Sequence, residues 1–159
     1  MIKTLAAYVK EYKKVSFLTP VCMIGEVIME MLIPLLMSSI IDEGVNKGDM
    51  DHIYRIGILM IIAAALGLVF GALGGIFGAR ASTGFAKNLR KGMFDNIQRF
   101  SFANIDKYSV AGLVTRLTTD VSNLQNAYQM LLRMSFRAPT TLIIAMVMAF
   151  IINGRLACI

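Results

Sequence analysis

Two carboxylates inside an apolar run have the most scope for chemistry in this sequence. Glu26 and Glu30 stand four residues apart within the run 15–41, so on a helix they share one face. A carboxylate turned to lipid is expensive, and ionisable groups in a bilayer-length run face a cavity or a partner. Two readings follow from the spacing. Either the pair lines a cation- or proton-responsive cavity, or one or both acids are protonated and make hydrogen-bonded contacts between helices. Pro34, one turn beyond Glu30, removes a backbone hydrogen bond and predicts a kink toward the outer end of the run.

Other chemistries find little support. His52 is the single histidine and sits in a polar loop without ligand-spaced neighbours. Cys22 and Cys158 lie in apolar sequence and read as inert thiols. Neither a metal site nor a catalytic residue is expected. There is no GxxxxGK[ST] sequence, and "GALGG" lies inside an apolar helix rather than after a strand, so no phosphate loop is present. Gly67, Gly71 and Gly75 instead recur every four residues, with Gly74 and Gly78 close by. Such a small-residue face lets a second helix approach closely.

The elements that must position these residues are long helices. The sequence is 57% hydrophobic, and its apolar residues gather into three runs of membrane length. Residues 1–14 form a basic amphipathic segment suited to the membrane surface, with Leu5, Tyr8, Val9 and Tyr12 on one face. The first span is 15–41, and "DEGVNKGDMDH" closes it. The second helix runs 53–100, roughly 70 Å, so only part of it fits in lipid. Beyond Ala79 it keeps a stripe of Phe85, Leu89, Met93, Ile97 and Phe100. Residues 101–110 read as a tight reversal, and 111–152 as a third long helix. Its polar first half carries Leu113, Leu117, Val121, Leu124, Tyr128 and Leu131 at helical spacing. The two stripes bury one another in a helical hairpin outside the lipid. The fold expected is an all-α membrane protein whose long transmembrane helices extend into a cytoplasmic helical hairpin.

Charge sets the topology. The net charge of +6 could suggest a nucleic-acid partner, but the Lys and Arg residues flank the apolar runs instead of forming a groove. They crowd the N-terminus and residues 80–137, whereas the loop at 42–52 is net acidic. The positive-inside rule puts the N-terminus and the hairpin in the cytoplasm of a multi-pass cell-membrane protein, and Asn153 outside. Arg155 is a minor exception.

"SVAGLVTRLTTDVSNLQN" followed by "MLLRMSFRAP" resembles the first intracellular loop and third transmembrane helix of ABC exporters. The order of the chain is similar to that family throughout. It has a basic elbow, a first span ending "PLLMSSIIDEG", a second bearing "LRKGMFDNIQRFS", and then "TRLTTDV". "QMLLRMSFRAP" resembles the multidrug-type bacterial branch. The resemblance implies a partial transmembrane domain that ends before the fourth span and the ATPase domain. It implies a coupling helix at the hairpin tip, formed by Ala103, Asn104, Ile105, Asp106, Lys107 and Tyr108. Without the resemblance this tip reads as a solvated turn. The implied partners are a nucleotide-binding domain, a second exporter subunit in a homo- or heterodimer, membrane lipid and a small amphipathic substrate. ATP and Mg would belong to the missing domain, with no cofactor in this chain. Arg116 and Asp120, four apart, read as a surface ion pair worth under ~1 kcal/mol, or as a clasp to neighbouring helices or the ATPase. The competing reading of the whole is a freestanding three-span scaffold or regulatory subunit without transport activity.

Overall fold

A computed structural model describes residues 7–99 and 109–153. Among these residues there are helices and turns but no strand. Helix α1 spans Lys13–Ser39 and passes into a π-helical turn at Ile40–Val45. Helix α2 is a continuous element of 48 residues, Met50–Ile97. Helix α3, Val110–Thr115, leads through a second π-helical turn, Arg116–Asp120, into helix α4, Val121–Asn153. Ser109 caps α3, its side chain accepting a hydrogen bond from the Gly112 backbone N–H.

Three stretches are long and apolar enough to cross a membrane: Ala7–Val45, Met50–Ile97 and Ala111–Ile152. Their large side chains are turned outward. Leu68 is 76% exposed, Ile151 73% and Ile61 70%, a distribution that water would penalise and lipid would not. This is the fold of an all-α membrane protein.

The chain divides into two compact units, one of Met1–Leu18 with Ile76–Leu132 and the other of Thr19–Gly75 with Arg133–Ile159. In the first, Val9, Phe85, Ala86, Leu89 and Val121 form a buried cluster, with Tyr8, Tyr12, Met93 and Tyr128 packed against it. Phe85 and Tyr128 stack at 4.8 Å between ring centroids. The Tyr128 hydroxyl shares a 2.9 Å hydrogen bond with Ser16. Phe85, Leu89 and Val121 are stripe residues, but Leu124 and Leu131 are exposed. The packed face of α4 is instead Val121 and Tyr128, with Gln125 between them donating to the Thr83 hydroxyl at 3.5 Å.

The N-terminal arm differs from the expected surface helix. Ala7–Tyr12 forms 3₁₀ turns broken at Lys10, whose φ of 35° is rare for a residue with a Cβ. Its apolar face is spent on protein. The Tyr12 ring covers Gly84 and the Tyr8 ring covers Gly92, both so closely that a Cβ at either glycine would collide. Between them Asn88 donates to the Tyr8 carbonyl at 3.0 Å. Gly84, Asn88 and Gly92 lie one turn apart on α2, so two absent side chains and one amide make a track for the arm. Leu5 lies outside the described residues.

In the second unit Thr19, Cys22, Met23 and Val27 of α1 are buried. Gly67, Gly71 and Gly74 of α2 meet α1. A Cβ would lie 3.4 Å from Met29 at Gly67, 3.1 Å from the Glu26 carboxyl at Gly71, and against the Met23 methyl at Gly74. Gly75 has nothing within 4 Å, so close approach follows 67, 71 and 74 rather than a strict four-residue repeat. That is the drift of a 3.6-residue helix.

Candidate functional site

The two acids singled out by spacing are held together by an arginine. Arg137 of α4 places Nη1 3.2 Å from Glu26 Oε1 and Nη2 3.0 Å from Glu30 Oε2. The rigid guanidinium fork suits two acceptors, where an ammonium would offer one point charge. One cation faces two carboxylates. The Glu26 side chain is 21% exposed, and its Oε2 is buried without a hydrogen-bond partner. Glu30 is 52% exposed. The acids therefore differ, one pressed against Gly71 of α2 and the other at the surface.

Local sequence explains how the helices present these groups. Pro34 has no N–H to give the Glu30 carbonyl four residues before it, and Pro139 likewise frees the Ser135 carbonyl. Prolines thus soften α1 and α4 within about a turn of the charges. The Thr141 hydroxyl donates to the Arg137 carbonyl at 2.9 Å, a further local bond. The sequence singles out the acids, but in it Arg137 stands only among the cations flanking the apolar runs. The available signal was an arginine at the edge of the third apolar run, opposite in sign to an unpaired acid pair.

Arg90 joins a second constellation that no spacing in the sequence marks. The π-helical turn Arg116–Asp120 interrupts normal pairing, and three hydroxyls back-bond around it: Thr115 to Ala111 O, Thr118 to Val114 O and Ser122 to Thr118 O. From α2, Arg90 Nε donates to the Leu117 carbonyl at 3.3 Å and Nη2 to the Ser122 hydroxyl at 3.1 Å. Arg116 and Asp120 are both exposed, and Asp120 makes no ion pair among the described residues. Ala103, Asn104, Ile105, Asp106, Lys107 and Tyr108 lie outside the described residues.

The loop after α1 gathers groups of hydrolytic type without hydrolytic geometry. His52 Nε2 is 3.0 Å from the Ser39 hydroxyl and 3.6 Å from Glu43. Both approach the same ring nitrogen, whereas a triad needs nucleophile and orienting acid on opposite nitrogens of the imidazole. Among the described residues no three His, Cys, Asp or Glu side chains could share a metal ion.

Three helices of membrane length, with an arginine and two carboxylates joining the first and third, define a multi-pass helical membrane protein. The chain belongs to the ABC transporter transmembrane family, whose model, described as the ABC transporter transmembrane region, matches residues 16–159. It is 33% identical over 150 residues to an uncharacterized ABC transporter ATP-binding protein of Bacillus subtilis, YfiB, covering 94% of this chain and 26% of that protein. Uncharacterized ABC transporter ATP-binding proteins of Mycobacterium bovis and Mycobacterium tuberculosis are 27% identical over 150 residues, with the same coverage. The chain thus spans 26% of the length of the curated relatives it matches.

Proposed function

We propose that this chain is the N-terminal membrane-spanning part of an ATP-driven exporter subunit. It helps to line a translocation pathway and couples to a nucleotide-binding domain through its first intracellular loop. Family membership supports the transporter class. The observation that carries the pathway reading is Glu26, whose Oε2 is left without a partner while Oε1 is held by Arg137. A carboxylate so placed among apolar helices is positioned to meet a cationic, amphipathic substrate.

In this reading the N-terminus is cytoplasmic, and the membrane is the cell membrane. ATP and Mg bind in a domain beyond these residues. Ala103, Asn104, Ile105, Asp106, Lys107 and Tyr108 form the contact with that domain. A second subunit, identical or not, completes the pathway. Arg116 and Asp120 serve the intracellular loop, and Gly67, Gly71 and Gly74 serve packing between helices. ATP binding shifts the population between inward- and outward-facing states.

The test uses the full-length transporter with single cysteines at Asp106 or Tyr108 and a bifunctional thiol reagent. Crosslinks to the nucleotide-binding domain are expected, and alanine there should lower ATP-driven transport. No crosslink and unchanged ATPase activity would instead favour a scaffold.

A further inference from the structure

A groove in the first unit lies where two helices leave their charge-free runs. One wall is Tyr12, the last residue of the arm, and Val15, at the start of α1. The other is α2, where Ala79, Arg80, Thr83 and Lys87 face it and Gly84 gives the floor. Arg80, Thr83 and Lys87 are spaced i, i+3, i+7 and so share one helical face. No acidic side chain lines the groove, and α2 carries no Asp or Glu between Asp51 and Asp95.

The two cations are uncommitted. Arg90, Arg137 and Arg55 each bond to protein, whereas Arg80 and Lys87 make no hydrogen bond or ion pair among the described residues. The Thr83 hydroxyl accepts from Gln125, which leaves its own proton to donate. Three donors of one helix face thus point to a single anion.

The position of the groove selects the anion's source. Arg80 is the first charge after the uncharged run 56–79 of α2, and Lys14 is the last before the uncharged run 15–25 of α1. Both runs change from apolar to basic at this groove, as chains do at the edge of the hydrocarbon layer. Val15 and Ala79 offer an apolar surface on the lipid side. Arg80 and Lys87, about 10 Å apart along the axis, mark the headgroup side. Basic pockets between helices at this depth suit anionic headgroups.

We propose that this groove binds the headgroup of an anionic phospholipid. Arg80 and Lys87 hold the phosphate oxygens, Thr83 donates to one of them, and the acyl chains run along Val15 and Ala79. The inference rests on the membrane-spanning family alone and not on the exporter's substrate or its coupling loop.

The experiment uses the full-length transporter in phosphatidylcholine vesicles with and without phosphatidylglycerol. In the unmodified protein, a photoreactive phosphatidylglycerol analogue is expected to label peptides covering residues 12–15 and 79–87, well above a phosphatidylcholine analogue. Arg80→Gln with Lys87→Gln should lower that labelling by more than tenfold, from roughly fivefold per basic group. Lys91→Gln, on the same helix outside the groove, should leave it within twofold. Equal labelling by both analogues, labelling only elsewhere, or an equal loss in Lys91→Gln would overturn the proposal. So would displacement by millimolar inorganic phosphate, which would make the groove a site for soluble anions. Because the unmodified protein carries the first comparison, a variant that fails to fold does not remove the test.

Discussion

Arg137 of α4 holds Glu26 of α1 through a 3.2 Å contact between residues 111 positions apart in sequence. The pair ties the first and third membrane-length helices, and Glu30 takes the other arm of the same guanidinium. Charge is thus concentrated where apolar helices leave it few alternatives.

Removing the arginine should harm the protein more than removing the whole cluster. Arg137→Gln leaves two carboxylates uncompensated, and the partly exposed site should lose about 2 kcal/mol, below the ~3–5 kcal/mol of a fully buried pair. Adding Glu26→Gln and Glu30→Gln to Arg137→Gln should recover most of that loss. Thermal unfolding of the detergent-solubilised full-length protein measures both steps. A triple variant less stable than Arg137→Gln would contradict the ion-cluster account.

The arm's docking track predicts a pair of coupled substitutions. Gly84→Ala puts a methyl into the Tyr12 ring and should cost about 1–3 kcal/mol of overpacking. In a Tyr12→Ala background the same change should be close to neutral. A double-mutant cycle on thermal stability reads the coupling, and additive effects would show that the arm does not dock there.

The glycines of α2 should separate by their contacts. Gly75→Ala meets open space and gains helix propensity, so stability should rise by roughly 0.5–1 kcal/mol. Gly74→Leu must displace Met23 and should lower folded yield sharply. Size-exclusion profiles of the two variants give the answer, and equal yields would sink the contact assignment.

Arg90 should stabilise the π turn. Arg90→Ala frees the Leu117 carbonyl and the Ser122 hydroxyl, so amide exchange across residues 116–122 should rise severalfold. Lysine should restore little, because two acceptors are reached by one fork. Unchanged exchange in Arg90→Ala would mean that the turn holds itself.

Much of this was legible beforehand for simple reasons. Apolar length marks three membrane helices, and the stripe of Phe85 and Leu89 marks a packed face, because burial repeats with helical period. Glu26 and Glu30 stood out because acids are rare in such runs. Their partner did not, since Arg137 lies 107 residues beyond Glu30 and only tertiary contact joins them. The amphipathic pattern of the arm predicts a membrane-surface helix, but an apolar face does not say whether lipid or protein will cover it. Only Gly84, Asn88 and Gly92, one turn apart on another helix, decide that. Spacing of four puts Arg116 and Asp120 on one face, but a shared face does not make a bond, and Asp120 makes no ion pair among the described residues.

The most direct measurement is ATP-dependent uptake of a cationic amphiphile into inside-out proteoliposomes carrying the full-length protein. The account predicts uptake that requires ATP hydrolysis and falls at least tenfold in Glu26→Gln at equal protein level, while a neutral amphiphile is less affected. Absence of ATP-dependent uptake, or uptake indifferent to Glu26→Gln, would contradict it.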